Sequence, residues 1–215
     1  MAISSYSELK TAVANWLGGR TDLTSRIPEF IALAEAKFNR ELRCAQMETR
    51  SYTTVNTASD EPEFITLPGD FQTMRRIRLS SETGKPALEF VSSQQMDSFR
   101  YERANVSGVP AYYSILGTEL ELFPTPDEDY TVEMLYRANL EALSDSNTTN
   151  WLLDIAPDAY LYGALLEAAA FIKDDERIPV WIGGLKTALD GLNRVSFEQT
   201  FAAGPAAVRI EGPTP

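Results

Sequence analysis

Two stretches of helix-period apolar residues bracket a long stretch that lacks that period, and this change of period decides what the chain can fold into. In residues 5–43, and again in 157–198, apolar side chains recur every three or four positions, the spacing of one helix face. Between them, over 47–142, short β-branched and aromatic runs are separated by Pro, Gly, Asp and Asn, as strands joined by turns are. An apolar helix face does not stay wet, because each buried Leu, Ile or Phe contributes about 1.5–3 kcal/mol. The two helical stretches therefore pack on each other and the middle becomes an insertion. The sequence predicts an α+β fold, with N- and C-terminal helical hairpins packed as a helical bundle and an inserted antiparallel β domain. The expected parts are an N-terminal helical hairpin (1–46), the β domain (47–142), C-terminal helices completing the bundle (143–201) and an extended tail (202–215).

Local signals set the elements. Ser5 and Glu8 read as a capping box ahead of Leu9, Val13, Trp16 and Leu17. Gly18-Gly19 supplies a left-handed helix end. A second helix is expected from about Thr24, with Pro28 in its first turn. Ile27, Phe30, Ile31, Ala34, Phe38 and Leu42 form its stripe; Glu29, Glu35, Lys37, Arg40, Glu41 and Arg43 form a charged opposite face. In the middle region, strands are expected at 51–55, 64–67, 74–79 and 88–91, and a short helix at 92–101. The alternation of Met74, Ile77 and Leu79 with Arg75, Arg76 and Arg78 is imperfect. The clearest hairpin joins 111–116 to 119–123 through Gly117-Thr118. Its second strand turns Leu120 and Leu122 one way and Glu119, Glu121 and Phe123 the other. A further strand carries Tyr130, Val132, Met134 and Tyr136 on one face.

Helix returns at Pro157, with an apolar surface wide enough to be buried on most sides (Tyr160, Leu161, Ala164, Leu165, Ala168, Phe171, Ile172). Asp174-Asp175-Glu176 breaks it. The next helix carries Ile178, Ile182, Leu185, Leu189 and Leu192. Each Gly of Gly183-Gly184 costs that helix about 1 kcal/mol relative to Ala, so a close helix contact is expected there.

The chain has 215 residues, no histidine and one cysteine, Cys44. The usual general base, the Ser-His and Cys-His dyads and the usual zinc ligands are thereby missing, and no internal disulfide can form. No apolar run approaches the ~20 residues that span a bilayer, and the first residues lack the pattern of a secretion signal. Lys186-Thr187 lacks the preceding glycine of a phosphate loop and is expected mid-helix. Asp145, Asn147 and Thr149 resemble the start of a calcium loop, but Asn150 and Ala156 stand where Gly and Glu are required. Asp127-Glu128-Asp129 reads as a solvated loop rather than a cation site. Two carboxylates suffice for glycoside hydrolysis, yet 31 acidic residues make some pair unavoidable. Trp151, Tyr112 and Tyr113 can stack on sugars, and core packing is the simpler reading. No catalytic residue, cofactor or metal is expected.

Nineteen basic and 31 acidic side chains give a formal charge of −12. Residues 101–150 hold nine acids against Arg103 and Arg137. Such a chain does not hold a phosphate backbone tightly. Its charge serves solubility, or a surface that DNA must slide past.

Five stretches, read together, carry a resemblance: YSELKTAVANWLGGR with DLTSRIPEFIALAEAKFNRELR (6–43), ITLPGDFQTMRRIRL (65–79), PALEFVSSQQMD (86–97), and the run from VPAYYSILGTELELFPTPDEDY through to ERIPVW (109–181). In order and phrasing over about 5–195, the chain resembles the head-to-tail adaptor proteins of tailed bacteriophages, the group that includes the tail tubular protein A type of short-tailed phages. The resemblance implies a non-enzymatic virion protein at the head–tail interface, assembled in the host cytoplasm. It implies a ring, usually of twelve copies, between the portal protein and the tail or nozzle protein, in transient contact with passing double-stranded DNA and with no membrane. It implies a C-terminal segment that reaches the portal, here the tail with Val208, Arg209 and Ile210. Glu119, Glu121, Asp127, Glu128 and Asp129 are then expected to line the channel or the tail-facing rim. The competing readings are another tail component, such as a terminator or nozzle subunit, and a carboxylate-based glycoside hydrolase.

Overall fold

The computed structural model describes residues 3–55, 57–80, 87–103, 106–173 and 176–201, with 197–201 described by backbone only. The expected tail, with Val208, Arg209 and Ile210, lies outside the described residues, as do Asp174 and Asp175. The chain divides into two compact units, Glu48–Asn139 and the two segments that flank it.

The flanking segments form a helical unit. Helix α1 (Tyr6–Trp16) starts at Ser5, whose hydroxyl accepts from the Glu8 N–H at 3.3 Å. The capping box is displaced by one residue, because the Glu8 carboxylate turns back to the Ser4 N–H and hydroxyl, at 2.8 and 2.7 Å. Gly18 and Gly19 end the helix with φ of +76° and +69°, conformations that glycine adopts without Cβ strain. After a 3-10 turn at Thr21–Leu23, helix α2 runs from Ile27 to Glu41, later than the sequence suggests. Pro28 explains the delay. A start at Thr24 would put proline where an N–H must already bond back into the helix, whereas here it occupies the first turn.

Helices α4 (Trp151–Ile155), α5 (Pro157–Ile172) and α6 (Ile178–Phe201) complete this unit. The sequence gives no separate signal for α4, which Asn150 caps by accepting from the Leu153 N–H at 3.0 Å. Helix α5 is central and packs against α1, α2, α4 and α6. Its small residues permit this: a Cβ on Gly163 would lie 2.8 Å from Phe38 Cζ and 3.0 Å from Ala34 Cβ. The close contact expected at Gly183-Gly184 belongs to Gly184 alone, which lies against the Tyr162 ring; a Cβ on Gly183 would meet nothing within 4 Å among the described residues. Trp181 is buried, while Ile182 and Phe171, both assigned to apolar stripes by spacing, are about half exposed.

The insertion holds two sheets that share a core. In one, β1 (Glu48–Thr54), β7 (Thr131–Ala138) and β3 (Phe71–Leu79) lie in the order β1-β7-β3, all antiparallel. In the other, β2 (Phe64–Thr66), β6 (Glu119–Phe123), β5 (Tyr112–Leu116) and β4 (Glu89–Phe90) lie in the order β2-β6-β5-β4. Ile77, Leu79, Val132 and Met134 from the first sheet meet Ile65, Leu120 and Leu122 from the second. The expected all-antiparallel domain needs one correction, since β4 and β5 pair in parallel. Helix α3 (Ser93–Glu102), closed by a capping box between Ser92 and Gln95, provides the long crossover that a parallel pair requires. The imperfect alternation in β3 also has a cause: the register shifts between Phe71 and Thr73 and again between Met74 and Arg76, so Arg75 stands out of phase.

Candidate functional site

Three carboxylates lie inside the protein, and each is held by neighbours rather than poised for proton transfer. Glu35, placed on the charged face of α2 by its spacing, is buried instead. Its Oε1 accepts from the Leu143 N–H at 2.8 Å and from the Tyr160 hydroxyl at 3.0 Å, and Asn150 Nδ2 in turn donates to the Tyr160 oxygen at 2.7 Å. Burial pushes the Glu35 carboxyl above its ordinary range, against the lowering effect of these two donors. This chain fastens the segment that returns from the insertion. Asn39 assists by accepting from the Leu140 N–H at 2.7 Å.

Glu121 is buried in the insertion. Its Oε1 accepts from Arg100 Nε at 2.7 Å, and Glu63 stands 3.7 Å from the same guanidinium. Its face of β6 is opposite that of Leu120 and Leu122, as alternation predicts, but α3 covers it and Phe123 packs with Val91 and Met96. Glu121 therefore contributes nothing to an exposed acidic rim. Glu133, at the centre of β7, bonds Arg78 at 2.8 Å and has Arg76 at 3.6 Å. The Arg78 hydrogen bond holds its carboxyl below the usual range.

The other acids singled out in the sequence are exposed. Glu119 follows the hairpin turn, where Gly117 has φ +61°. Asp127 accepts from the Tyr130 hydroxyl at 2.7 Å. Asp129 accepts from the Thr57 N–H and hydroxyl at 2.9 and 2.8 Å, which ties Thr57 to Asp129. Asp127, Glu128 and Asp129 thus stand exposed just before Thr131, at one end of the three-stranded sheet. Asp145 bonds Lys10 at 2.8 Å, and the Asn147 side chain donates to the Ala142 carbonyl at 2.8 Å, both as turn and packing elements. Thr187 sits mid-helix with its hydroxyl on the Gly183 carbonyl at 2.9 Å. Tyr113 is buried, and Tyr112 packs on Phe99 with ring centroids 5.1 Å apart, so these aromatics serve the core.

Two surfaces escaped the sequence reading. Trp16, Trp181, Arg20 and Arg177 help to line a cleft of about 410 Å³ in the helical unit, with the Trp16 and Trp181 rings 5.5 Å apart. On the insertion, Arg50, Arg76 and Arg78 share one face of the three-stranded sheet. The arginines of β3 were visible in the sequence. Their alignment with Arg50 depends on a register between strands far apart in the chain, and no local pattern carries it.

Among the described residues the geometry offers surfaces for packing and charge pairing. Among the described residues no group of three or more His, Cys, Asp or Glu side chains is arranged to hold a metal ion, and no helix is long and apolar enough to cross a membrane. A family model described as SU10 adaptor protein matches residues 4–209. The chain belongs to that family, a structural one of phage head-to-tail adaptors. No curated protein matches it.

Proposed function

We propose that this member of the SU10 adaptor family forms a ring between the portal protein and the tail or nozzle protein of its phage, with DNA passing through the centre. The observation that carries this reading is the family match over 4–209, which spans both units rather than one of them. Two features support it. The buried carboxylates Glu35, Glu121 and Glu133 all have structural partners. A formal charge of −12 suits a conduit, because tightly bound phosphates would stall moving DNA.

In this reading the copy number is twelve, and the tail with Val208, Arg209 and Ile210 docks on the portal by strand addition or apolar contact. Exposed Glu119, Asp127, Glu128 and Asp129 belong to the channel or the tail-facing rim. Negative-stain imaging of the chain mixed with the portal of the same phage tests the proposal. The expected result is an added ring of density on one end of the portal, whose symmetry gives the copy number. Two folded proteins with no added density would overturn the portal-bound ring and favour a more distal tail component.

A further inference from the structure

The insertion concentrates its positive charge. From Glu48 to Asn139 the sequence has fifteen acidic and eight basic side chains, and five of those eight (Arg50, Arg75, Arg76, Arg78 and Arg137) lie on the β1-β7-β3 sheet. Pairing aligns them in rows across one face: Arg50, Leu135 and Arg76 in one, Tyr52, Glu133 and Arg78 in the next. Side chains in such rows act on one another directly. The Arg76 and Arg78 side chains are 49% and 46% exposed around a Glu133 carboxylate that is 3% exposed. Arg50 lies over the Tyr52 ring at 5.6 Å and has no ion pair among the described residues. Two guanidiniums thus flank one buried carboxylate, with Arg50 on the same face, which also exposes Tyr52. Arginine and tyrosine are the residue types that dominate binding at protein interfaces.

The matching surface is on the same chain. The acidic end of this sheet, with Asp127, Glu128 and Asp129, makes no ion pair with a cation among the described residues. Within one copy no ion pair joins it to the arginine face among the described residues. Its loops leave the sheet beyond Thr54 and Thr131, whereas Arg78 stands at the level of Glu133 and Arg50 and Arg76 at the level of Leu135, roughly 7 and 13 Å along the strand. One molecule therefore presents two different, oppositely charged surfaces. That is the requirement of a head-to-tail interface, which closes into a ring where its rotation permits. At a net charge of −12, copies repel at long range, so close neighbours need local complementarity of this kind.

We infer that the arginine face of one copy receives the acidic end of the next. This rests on the ring reading above and deepens it: Asp127 and Glu128 lie on the rim and turn toward the neighbouring copy rather than toward DNA.

Ring occupancy on the portal, measured by mass photometry over a range of chain concentrations, tests the interface. The samples are the full chain, Arg50→Glu/Arg76→Glu, Asp127→Lys/Glu128→Lys, and all four changes together. Each double reversal is expected to raise the concentration for half-occupancy roughly tenfold or more, as loss of close charge pairs does. The fourfold swap is expected to restore most of it. If Arg50→Glu/Arg76→Glu does not fold, Arg50→Glu alone, at a residue with no ion pair among the described residues, gives the same readout. A full ring that tolerates the arginine reversals overturns this inference alone. A loss that the fourfold swap does not rescue overturns it in favour of the portal as occupant. Tight duplex DNA binding that disappears with the arginine reversals overturns it in favour of nucleic acid. Absence of any ring from the unmodified chain overturns the ring reading and this inference with it.

Discussion

Glu35 places a carboxylate inside the helical unit, where Leu143 N–H and the Tyr160 hydroxyl both donate to its Oε1. Burial raises its folded pKa above the unfolded value, so the folded state holds the proton more tightly. The stability this group contributes is fully present below the unfolded carboxylate pKa and is lost as pH rises through the folded pKa. Glu35→Gln keeps a carbonyl oxygen for both donors and carries no charge. Thermal unfolding between pH 4 and pH 8 should show Glu35→Gln at least as stable as the unmodified chain at neutral pH, with a smaller loss as pH rises. Glu35→Ala leaves two buried donors without an acceptor and should cost about 1–3 kcal/mol. A Glu35→Gln protein much less stable at pH 7 would show that the charge itself is needed. The sequence signal misled at this residue because charged side chains are counted outward by default. Glu35 lies four positions after Ile31 and three before Phe38, at the edge of the buried stripe. Burial there depends on Tyr160 and Leu143 arriving from more than 100 positions away.

The elements themselves were legible where one face repeats. Stripes of apolar residues locate α1, α2, α5 and α6 because helix period is a local property. Gly183-Gly184 was legible as a cost that a close helix contact would offset, and the structure separates the helix glycines. A Cβ on Gly163 would meet the fully buried Phe38 ring and the Ala34 methyl, neither of which has room to yield. Gly163→Ala should therefore destabilise by about 1–3 kcal/mol. Gly184→Ala pushes on the Tyr162 ring at 2.8 Å and on its packing with Trp16 and Trp181, and it should also destabilise. Gly183→Ala adds a methyl in open space and should stabilise by up to about 1 kcal/mol. Urea titration of the three variants checks the order, and a destabilised Gly183→Ala would contradict the open surface. The β elements were less legible because pairing is not local. Nothing in Glu89-Phe90 announces a parallel partner, and nothing in β6 announces that α3 covers Glu121 and Phe123.

At the scale of the whole molecule, order along the chain was the most legible property: helical ends, a β insertion and a resemblance to phage adaptors all follow from it. The charged surfaces were not, because a total of −12 says nothing of how Arg50, Arg76 and Arg78 come together across β1-β7-β3. The tail bears on the whole assembly in a different way. The buried residues of the helical core run from Tyr6 to Leu189, and the last side chain seen to join its packing is Ser196, whose hydroxyl accepts from the Ala45 N–H at 2.7 Å. Removing residues 203–215 therefore takes away no described core contact. The truncated chain should unfold within about 2 °C of the full one, a shift that corresponds to less than about 1 kcal/mol at this size. Residues Val208, Arg209 and Ile210 are the apolar and cationic part of what is removed. If that segment docks on the portal, its loss should weaken portal attachment while leaving fold and unfolding cooperativity intact. A pull-down on immobilised portal, run beside a thermal melt of the same preparation, separates the outcomes. Weak capture with an unchanged melt supports a tail anchor, whereas full capture of the truncated chain assigns attachment to the folded units instead.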